Sequence, residues 1–278
     1  ESLPFLEAIR QFALDVGPAN ACFAHLTLVP YLKASQEIKT KPTQHSVGTL
    51  RQIGILPDFL ICRTEVSLGE EVQKKIALFC NVRREAVIEE KDVDHSIYEV
   101  PIVLRDQNLD RLIVERLGLS CRDSSIGEWE GMVKRLISAE RTVEVAMVGK
   151  YIDHQDAYKS IYESLTHAGI AHGVRVKVRR VEAEEVEKRG AEACLKGAAG
   201  LVVPGGFGTR GSEGKIQAVQ YARERKVPYF GLCLGMQVAS IEFARNVCGL
   251  AGANSSEFDA STPHPVIALM DAQRRVTA

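Results

Sequence analysis

Short apolar runs alternate with longer amphipathic stretches along the whole chain. Runs rich in apolar residues predict buried strands in the first half at residues 22–30, 59–62 and 86–88. Stretches with apolar residues three and four positions apart predict helices at residues 2–16, 45–53 and 68–80. Strands separated by helices are typical of an α/β fold with mainly parallel sheets.

A second series of the same kind begins near residue 141. It predicts strands at 143–148, 174–181, 200–203 and 227–232, and helices at 157–171, 212–225 and 233–247. Between the two series the pattern is helical and carries no obvious chemistry, so Trp129 is interpreted as a packing anchor rather than a site residue. We therefore predict two α/β domains, at residues 1–118 and 143–278, with a linker at 119–142.

Length and charge agree with this organisation. A chain of 278 residues suits about two domains of 100 to 200 residues each. The 35 Lys and Arg residues against 36 Asp and Glu residues leave a net charge of -1, which argues against binding to nucleic acid or to an anionic membrane. The longest charge-free apolar run, residues 227–241, is shorter than the ~20 residues that a membrane span needs.

The seven cysteines are scattered and form no C-x-x-C pair. This usage favours a reducing compartment over a disulfide framework or a zinc site, so we expect a cytoplasmic protein. The chain begins at Glu1 within a helical pattern and stops shortly after an apolar run. We therefore expect both ends to be cut and both domains to be incomplete.

The densest signal is the segment G-L-C-L-G-M-Q at residues 231–237. Small residues two before and two after Cys233, between a strand and a helix, match a nucleophile elbow with sulfur in place of oxygen. A cysteine at this turn lies at a helix N-terminus, which favours its thiolate. For a single cysteine, the alternative is a buried structural residue beside a glycine turn.

A second element lies about thirty residues upstream of Cys233, where a predicted strand runs into P-G-G-F-G at residues 204–208. Alone it could be an ordinary glycine loop. Paired with the elbow, it could turn a second backbone N–H toward the point where an attacked carbonyl develops negative charge.

Together these two elements resemble the class I glutamine amidotransferase family. The resemblance implies a flavodoxin-like domain in which Cys233 attacks the side-chain amide of glutamine, forms a thioester and releases ammonia. It implies an oxyanion hole formed by Gly206 and Leu234. The residues that it assigns to glutamine binding are Gly206, Leu234, Gly235, Met236, Gln237 and Glu257.

The resemblance also calls for a His-x-Glu pair well after the nucleophile. The only histidine after Cys233 is His264, which has prolines on both sides and no glutamate two residues later. We therefore expect the general base to lie beyond the end of this chain, and the chain alone to be inactive.

The second dense constellation is K-T-K-P-T-Q-H at residues 39–45. Two lysines, two hydroxyls and an amide before a helix predicted to start near Ser46 could hold an anion such as a phosphate. The alternative is a solvated loop. Lys75 can likewise be a surface lysine of its helix, and Asp92 and Asp94 can be turn residues.

The amino-acid sequence of this segment resembles sequences of the CTP synthase family. The same holds for residues 3–11, 25–31, 61–63, 75–80, 91–94 and 148–151. That resemblance implies a P-loop NTPase-like synthetase part that precedes the glutaminase part. The residues that it assigns to UTP or CTP are Glu1, Lys39, Thr40, Lys41, Pro42, Thr43, Gln44 and Lys75. Those that it assigns to ATP are Lys91, Asp92 and Val93.

The family couples two reactions: ATP-dependent activation of UTP and its amination to CTP by ammonia from glutamine. The resemblance further implies ATP with Mg²⁺, GTP as an allosteric activator, and a homotetramer. The chain has no Gly-rich P-loop, so we expect the P-loop and the magnesium ligands to lie outside it. Two alternatives stay open: another amidotransferase or hydrolase with a cysteine elbow, and a nucleotide-sensing scaffold without turnover.

Overall fold

The computed structural model describes residues 2–121, 125–150 and 155–270, and the chain forms two compact units. The first unit is Glu1–Ile137 and the second is Ser138–Ala278. The boundary lies inside the predicted linker at 119–142. Glu1, which the resemblance assigns to UTP or CTP, lies outside the described residues.

The first unit alternates helices and strands around a parallel sheet. Its elements are α1 (Leu3–Val16), β1 (Ala24–Leu28), β2 (Tyr31–Leu32), β3 (Glu37–Ile38), α2 (Lys41–Gln52), β4 (Phe59–Thr64), α3 (Gly69–Cys80), β5 (Val87–Lys91), α4 (Val100–Asp106), α5 (Leu109–Arg116) and α6 (Gly127–Ser138). The parallel sheet has the order β1-β4-β5, and β2 and β3 form a short antiparallel hairpin.

Alternate residues of β4 point to opposite faces of this sheet, and each face has its own core. Leu60 packs with Val47 of α2 and Ile76 of α3 on one face. Phe59 packs with Leu109 of α5 on the other. Trp129 of α6 donates from its ring nitrogen to the carbonyl of Tyr98 at 2.8 Å, an anchoring contact within the unit.

The second unit is built around a four-stranded parallel sheet. Its elements are β6 (Thr142–Gly149), α7 (Lys159–His172), β7 (Arg175–Glu182), α8 (Ala183–Arg189), α9 (Ala191–Leu195), β8 (Gly200–Val203), α10 (Ser212–Arg225), β9 (Tyr229–Gly231), α11 (Leu234–Asn246), β10 (Asn254–Ser255) and β11 (Pro265–Ile267). The sheet has the order β7-β6-β8-β9. This is the doubly wound order 2-1-3-4, in which ligands bind at the carboxyl ends of the strands near the point where the order reverses.

The structure confirms the predicted fold class, an α/β protein with mainly parallel sheets. The largest error in a predicted boundary is at α2, which begins at Lys41 and not near Ser46, so residues 41–44 form its first turn and not a loop. The strand predicted at 86–88 is also longer, Val87–Lys91. The reason for the error at α2 is Pro42. At the first helical positions its fixed φ suits the helix, and its missing N–H costs nothing. The short elements β2, β3, α8 and α9 were not predicted.

Within the described ranges, the helices are all too short or too polar to cross a membrane.

Candidate active site

Cys233 occupies a sharp turn between β9 and α11. Its backbone has φ 51° and ψ -103°, a conformation that residues with a side chain rarely adopt. It is the N-cap residue of α11, and its side chain is exposed. The turn therefore presents the sulfur to solvent at the N-terminus of a helix, where unpaired N–H groups favour a nearby negative charge.

Two glycines make this turn possible. A Cβ at Gly231 would lie 2.5 Å from the carbonyl carbon of Gly235, and a Cβ at Gly235 would overlap the carbonyl oxygen of Val203. Tyr229 donates from its hydroxyl to the carbonyl of Gly235 at 2.7 Å, and burial raises the pKa of this hydroxyl. The start of α11 is thus packed directly against the end of β8.

The glycine loop after β8 lies beside the elbow. A Cβ at Gly205 would lie 3.5 Å from the Cβ of Cys233, and one at Gly206 would lie 3.5 Å from Cδ2 of Leu234. The backbone N–H of Leu232 donates to Val203 at 2.9 Å, which ties the two segments together. The structure therefore brings Cys233, Leu234 and Gly206 to one place at the carboxyl ends of β8 and β9.

The sequence interpretation missed Lys215, which lies in the first turn of α10. It is only 2% exposed, and its Nζ would lie 3.9 Å from a Cβ at Gly206. Burial is the main cause that lowers the pKa of its ammonium; Lys150 lowers it further, whereas Glu182 opposes the shift. A signal was present, because Lys215 precedes Ala218 and Val219 by three and four residues and so shares their buried face.

The other residues assigned to glutamine flank this place. Met236 and Gln237 follow in the first turn of α11, and Met236 is exposed. Glu257 is exposed, and its backbone N–H donates to Oγ of Ser255 at 3.2 Å. Within the described part of the chain, the ring of His264 makes no hydrogen bond; the backbone carbonyl of His264 accepts from Asn254.

In the first unit, the carboxylate of Glu37 interacts with Lys39. Lys39 donates to Glu37 at 2.6 Å. This hydrogen bond is the main cause that lowers the pKa of Glu37, and the more distant charge of Lys75 adds a small part of the shift. The two lysines that the resemblance assigns to one ligand therefore lie in the same region of the first unit, on different elements.

The hydroxyls of the same segment hold the fold. Thr43 is buried, donates to the carbonyl of Leu28 at 3.2 Å and accepts from Thr27 at 3.3 Å. Thr40 is also buried and accepts from Nε2 of Gln44 at 3.1 Å. Lys41 and Pro42 are exposed at the surface of this turn.

The residues assigned to ATP lie at the carboxyl ends of β4 and β5. Arg63 donates to Asp92 at 2.8 Å, and the backbone N–H of Asp92 donates to Thr64. Lys91 is exposed at the end of β5, and Val93 follows it at partial exposure. Neighbouring Glu90 is buried, and loss of hydration raises the pKa of its carboxyl group.

No cluster of three or more His, Cys, Asp or Glu residues suited to a metal ion occurs in the parts of the chain that the structure describes.

Comparison with protein families finds two matches along the chain. Residues 1–119 match the family model described as CTP synthase N-terminus. Residues 153–271 match the model described as glutamine amidotransferase class-I. The two models follow one another in the order that the motifs predict.

Similar curated proteins match almost the entire chain. A CTP synthase of Caldanaerobacter subterraneus subsp. tengcongensis is 58% identical over 276 residues, which cover 99% of this chain and 51% of that protein. A CTP synthase of Fibrobacter succinogenes is 56% identical over 277 residues, which cover 100% of this chain and 49% of that protein. The chain thus spans about half the length of the curated relatives it matches.

One solved structure is also similar, a Trypanosoma brucei CTPS glutaminase domain with bound acivicin. It is 45% identical, with a TM-score of 0.44, and the match covers 47% of this chain and 51% of that one.

Proposed function

Since this chain belongs to the CTP synthase family, we propose that it carries the glutaminase nucleophile and part of the nucleotide-binding surface of a glutamine-hydrolysing CTP synthase. One observation carries the proposal: the Gly205–Gly206 loop and the Cys233–Leu234 turn meet at the carboxyl ends of β8 and β9. Two backbone donors beside an exposed sulfur are what acyl transfer from an amide requires.

In the proposed glutaminase reaction, the thiolate of Cys233 attacks the side-chain carbonyl carbon of glutamine. The C–S bond forms, and the carbonyl electron pair moves onto oxygen, where the N–H groups of Gly206 and Leu234 stabilise it. When the carbonyl re-forms, the C–N bond breaks. The nitrogen takes up a proton and leaves as ammonia, and a thioester stays on Cys233.

Water then attacks the thioester, and glutamate leaves with the thiolate restored. Both steps need a group that moves protons. We propose that a segment of the full-length protein outside the part matched here supplies it, since His264 makes no side-chain hydrogen bond among the described residues. Met236, Gln237 and Glu257 would contact the rest of the glutamine substrate.

In the proposed synthetase reaction, ATP transfers its terminal phosphate to O4 of UTP. Ammonia then displaces that phosphate to give CTP. Lys39 and Lys75 would bind the triphosphate of the pyrimidine nucleotide, with the helix turn at Lys41 and Pro42 beside them. Thr40, Thr43 and Gln44 would act mainly by fixing that turn, because the two hydroxyls are buried and already bonded.

Lys91, Asp92 and Val93 would contact ATP at the end of β5. We further propose that Mg²⁺ accompanies ATP with ligands elsewhere in the full-length protein, where it would neutralise phosphate charge. Activation by GTP, assembly as a homotetramer and a cytoplasmic location belong to the same proposal.

The decisive experiment is Cys233→Ala in a protein of the relatives' full length. Glutamine-driven CTP formation should fall by at least a thousandfold, because no nucleophile remains, whereas CTP formation from added ammonia should stay within about threefold. Loss of both activities would contradict the division of labour between the two units. A wild-type protein that hydrolyses glutamine but aminates no UTP would favour a different amidotransferase.

A matched control is Cys248→Ala, since Cys248 is also an exposed cysteine of the second unit. It should leave both activities unchanged. If the wild-type protein binds UTP and CTP in calorimetry but turns over neither glutamine nor ammonia, it is a nucleotide-sensing scaffold and the proposal is wrong.

A further inference from the structure

Lys215 is a buried charged side chain. Its ammonium makes no hydrogen bond or ion pair with any residue in the described ranges, although the residue is only 2% exposed. The burial of an ammonium is costly unless its charge is compensated. Among the described residues, Lys150 and Glu182 are the charged groups that shift its pKa, in opposite directions.

Lys215 is held in this position by the packing of α10. A Cβ at Gly214 would overlap the carbonyl oxygen of Ala183, so the first turn of α10 is pressed against the start of α8. The backbone N–H of Gly214 also donates to Glu187 at 3.0 Å. The side chain of Lys215 therefore extends from a closely packed backbone, and its ammonium lies beside Gly206.

The two glycines of the loop lie beside the nucleophile and beside Lys215. A Cβ at Gly205 would lie 3.5 Å from the Cβ of Cys233, whereas one at Gly206 would lie 3.9 Å from Nζ of Lys215. The sulfur and the ammonium therefore lie next to neighbouring residues of one loop.

A cation beside the loop acts differently on the substrate and on the intermediate. The amide of bound glutamine is neutral, but in the proposed reaction the tetrahedral intermediate carries a negative charge on oxygen beside Gly206. A buried ammonium near Gly206 therefore favours the charged intermediate over the neutral amide, by an amount that we expect to correspond to about tenfold or more in rate.

We propose that Lys215 supports the glutaminase reaction electrostatically: its buried ammonium beside Gly206 strengthens the oxyanion hole without touching the substrate. This inference rests on the proposed glutaminase function, because it assigns no activity of its own.

The test compares Lys215→Met, which keeps the length of the side chain without its charge, with Lys215→Arg, which restores a cation. Both are made in a protein of the relatives' full length. For Lys215→Met we expect kcat for glutamine hydrolysis to fall about ten- to fiftyfold with KM changed less than threefold, since the charge acts only on the intermediate. Lys215→Arg should recover at least a third of the lost kcat.

Two controls separate this role from a structural one. Lys188→Met removes an exposed lysine of α8 and should leave kcat and KM for glutamine hydrolysis unchanged. In alkylation by iodoacetamide, the sulfur of Cys233 attacks the CH₂ carbon and displaces iodide, so that no oxyanion forms. Mass spectrometry of the peptide that carries Cys233 measures the rate. This rate should stay within about twofold of the wild type in Lys215→Met.

The inference is overturned if Lys215→Met keeps full kcat, if Lys215→Arg recovers nothing while it melts at the wild-type temperature, or if alkylation slows as much as hydrolysis does. These outcomes leave the proposed function intact, because the wild type still hydrolyses glutamine in each. A wild-type protein that hydrolyses no glutamine would instead contradict the proposed function itself.

Discussion

Cys233 combines a reactive position with an unfavourable backbone. At φ 51° its Cβ is crowded by its own backbone, a conformation that costs a non-glycine residue about 1 to 3 kcal/mol. The close contact between Gly231 and Gly235 and the hydrogen bond from Tyr229 hold it there. The fold therefore holds a strained residue at the position where the sulfur is exposed to solvent.

This strain predicts an inverted order of stability at position 233. Cys233→Gly should unfold with a free energy about 1 kcal/mol higher than that of Cys233→Ala, because only glycine adopts this backbone without cost. Equilibrium unfolding in urea of the second unit measures the difference.

Cys248 provides the control, since it is exposed and is not among the residues with positive φ. There the order should be the usual one, with alanine at least as stable as glycine. Equal or lower stability of Cys233→Gly relative to Cys233→Ala would show that the turn is not strained.

The spacing of the glycines predicts the elbow, but not the lysine beside the loop. Gly231 and Gly235 are separated from Cys233 by fixed distances along the chain, and local sequence is enough to indicate a tight turn there. Lys215 belongs to a different segment, and its approach to Gly206 depends on the packing of α10 against α8. A lysine on an apolar helix face predicts that the side chain is buried. No sequence pattern predicts which residues of the fold lie next to its ammonium.

Helices α10 and α11 are joined by a buried carboxylate. Glu242 of α11 is 1% exposed and accepts from Arg223 of α10 at 2.8 Å and from Asn246 at 3.1 Å. Because α11 begins immediately after Cys233, this contact anchors the helix that carries the nucleophile at its N-terminus.

Replacement of Arg223 alone should therefore lower the free energy of unfolding more than replacement of both Arg223 and Glu242. Arg223→Met leaves a buried carboxylate without its cation and should therefore lower the free energy of unfolding and the melting temperature. Solvent reduces the loss, because Arg223 itself is partly exposed. The double variant Arg223→Met with Glu242→Met should recover at least half of that loss. Thermal and urea unfolding measure both.

Arg225→Met is the matched control, since Arg225 lies two residues further on and pairs with Glu192 at the surface. Its cost should stay below about 1 kcal/mol. If the double variant is no more stable than Arg223→Met alone, the loss comes from packing and not from the unpaired charge.

The elements that sequence predicts well are the long periodic ones. The bounds predicted for α10, residues 212–225, are those of the structure, and α3 differs by one residue at its start. The prediction failed at α2, where Pro42 begins the helix, and at β2 and β3, whose two-residue strands are too short to show alternation. Pairing across a hairpin this small depends on the chain that surrounds it.

Across the whole molecule, both candidate sites follow the same geometric rule. In each unit some of the residues assigned to ligands lie just beyond the carboxyl ends of parallel strands: Asp92 after β5, Gly206 after β8 and Cys233 after β9. Lys39 and Lys75 do not follow the rule, because they lie after the antiparallel hairpin and within α3. Alternating strands and helices predict this edge from the sequence alone. The exact boundary of the two domains is less predictable, because α6 lies in the predicted linker and yet packs on Tyr98 of the first unit.

The two parallel sheets end in very different outer strands. Among the described residues, β7 pairs only with β6 and carries Arg175, Lys177 and Arg180. Strand β1 pairs only with β4 and carries Leu26 and Leu28, which are 64% and 58% exposed. Charged side chains on an outer strand hinder the addition of a strand from another chain, whereas exposed leucines favour this association.

This contrast makes β1 the point where the 278-residue chain should self-associate. Leu26→Lys combined with Leu28→Lys should raise, by about threefold or more, the protein concentration at which light scattering first detects large particles. As a comparison, Leu78→Lys with Phe79→Lys changes two exposed apolar residues of α3 and should have a smaller effect. If the two pairs of substitutions have equal effects, general surface hydrophobicity, and not the open edge of the sheet, determines the concentration at which this chain associates.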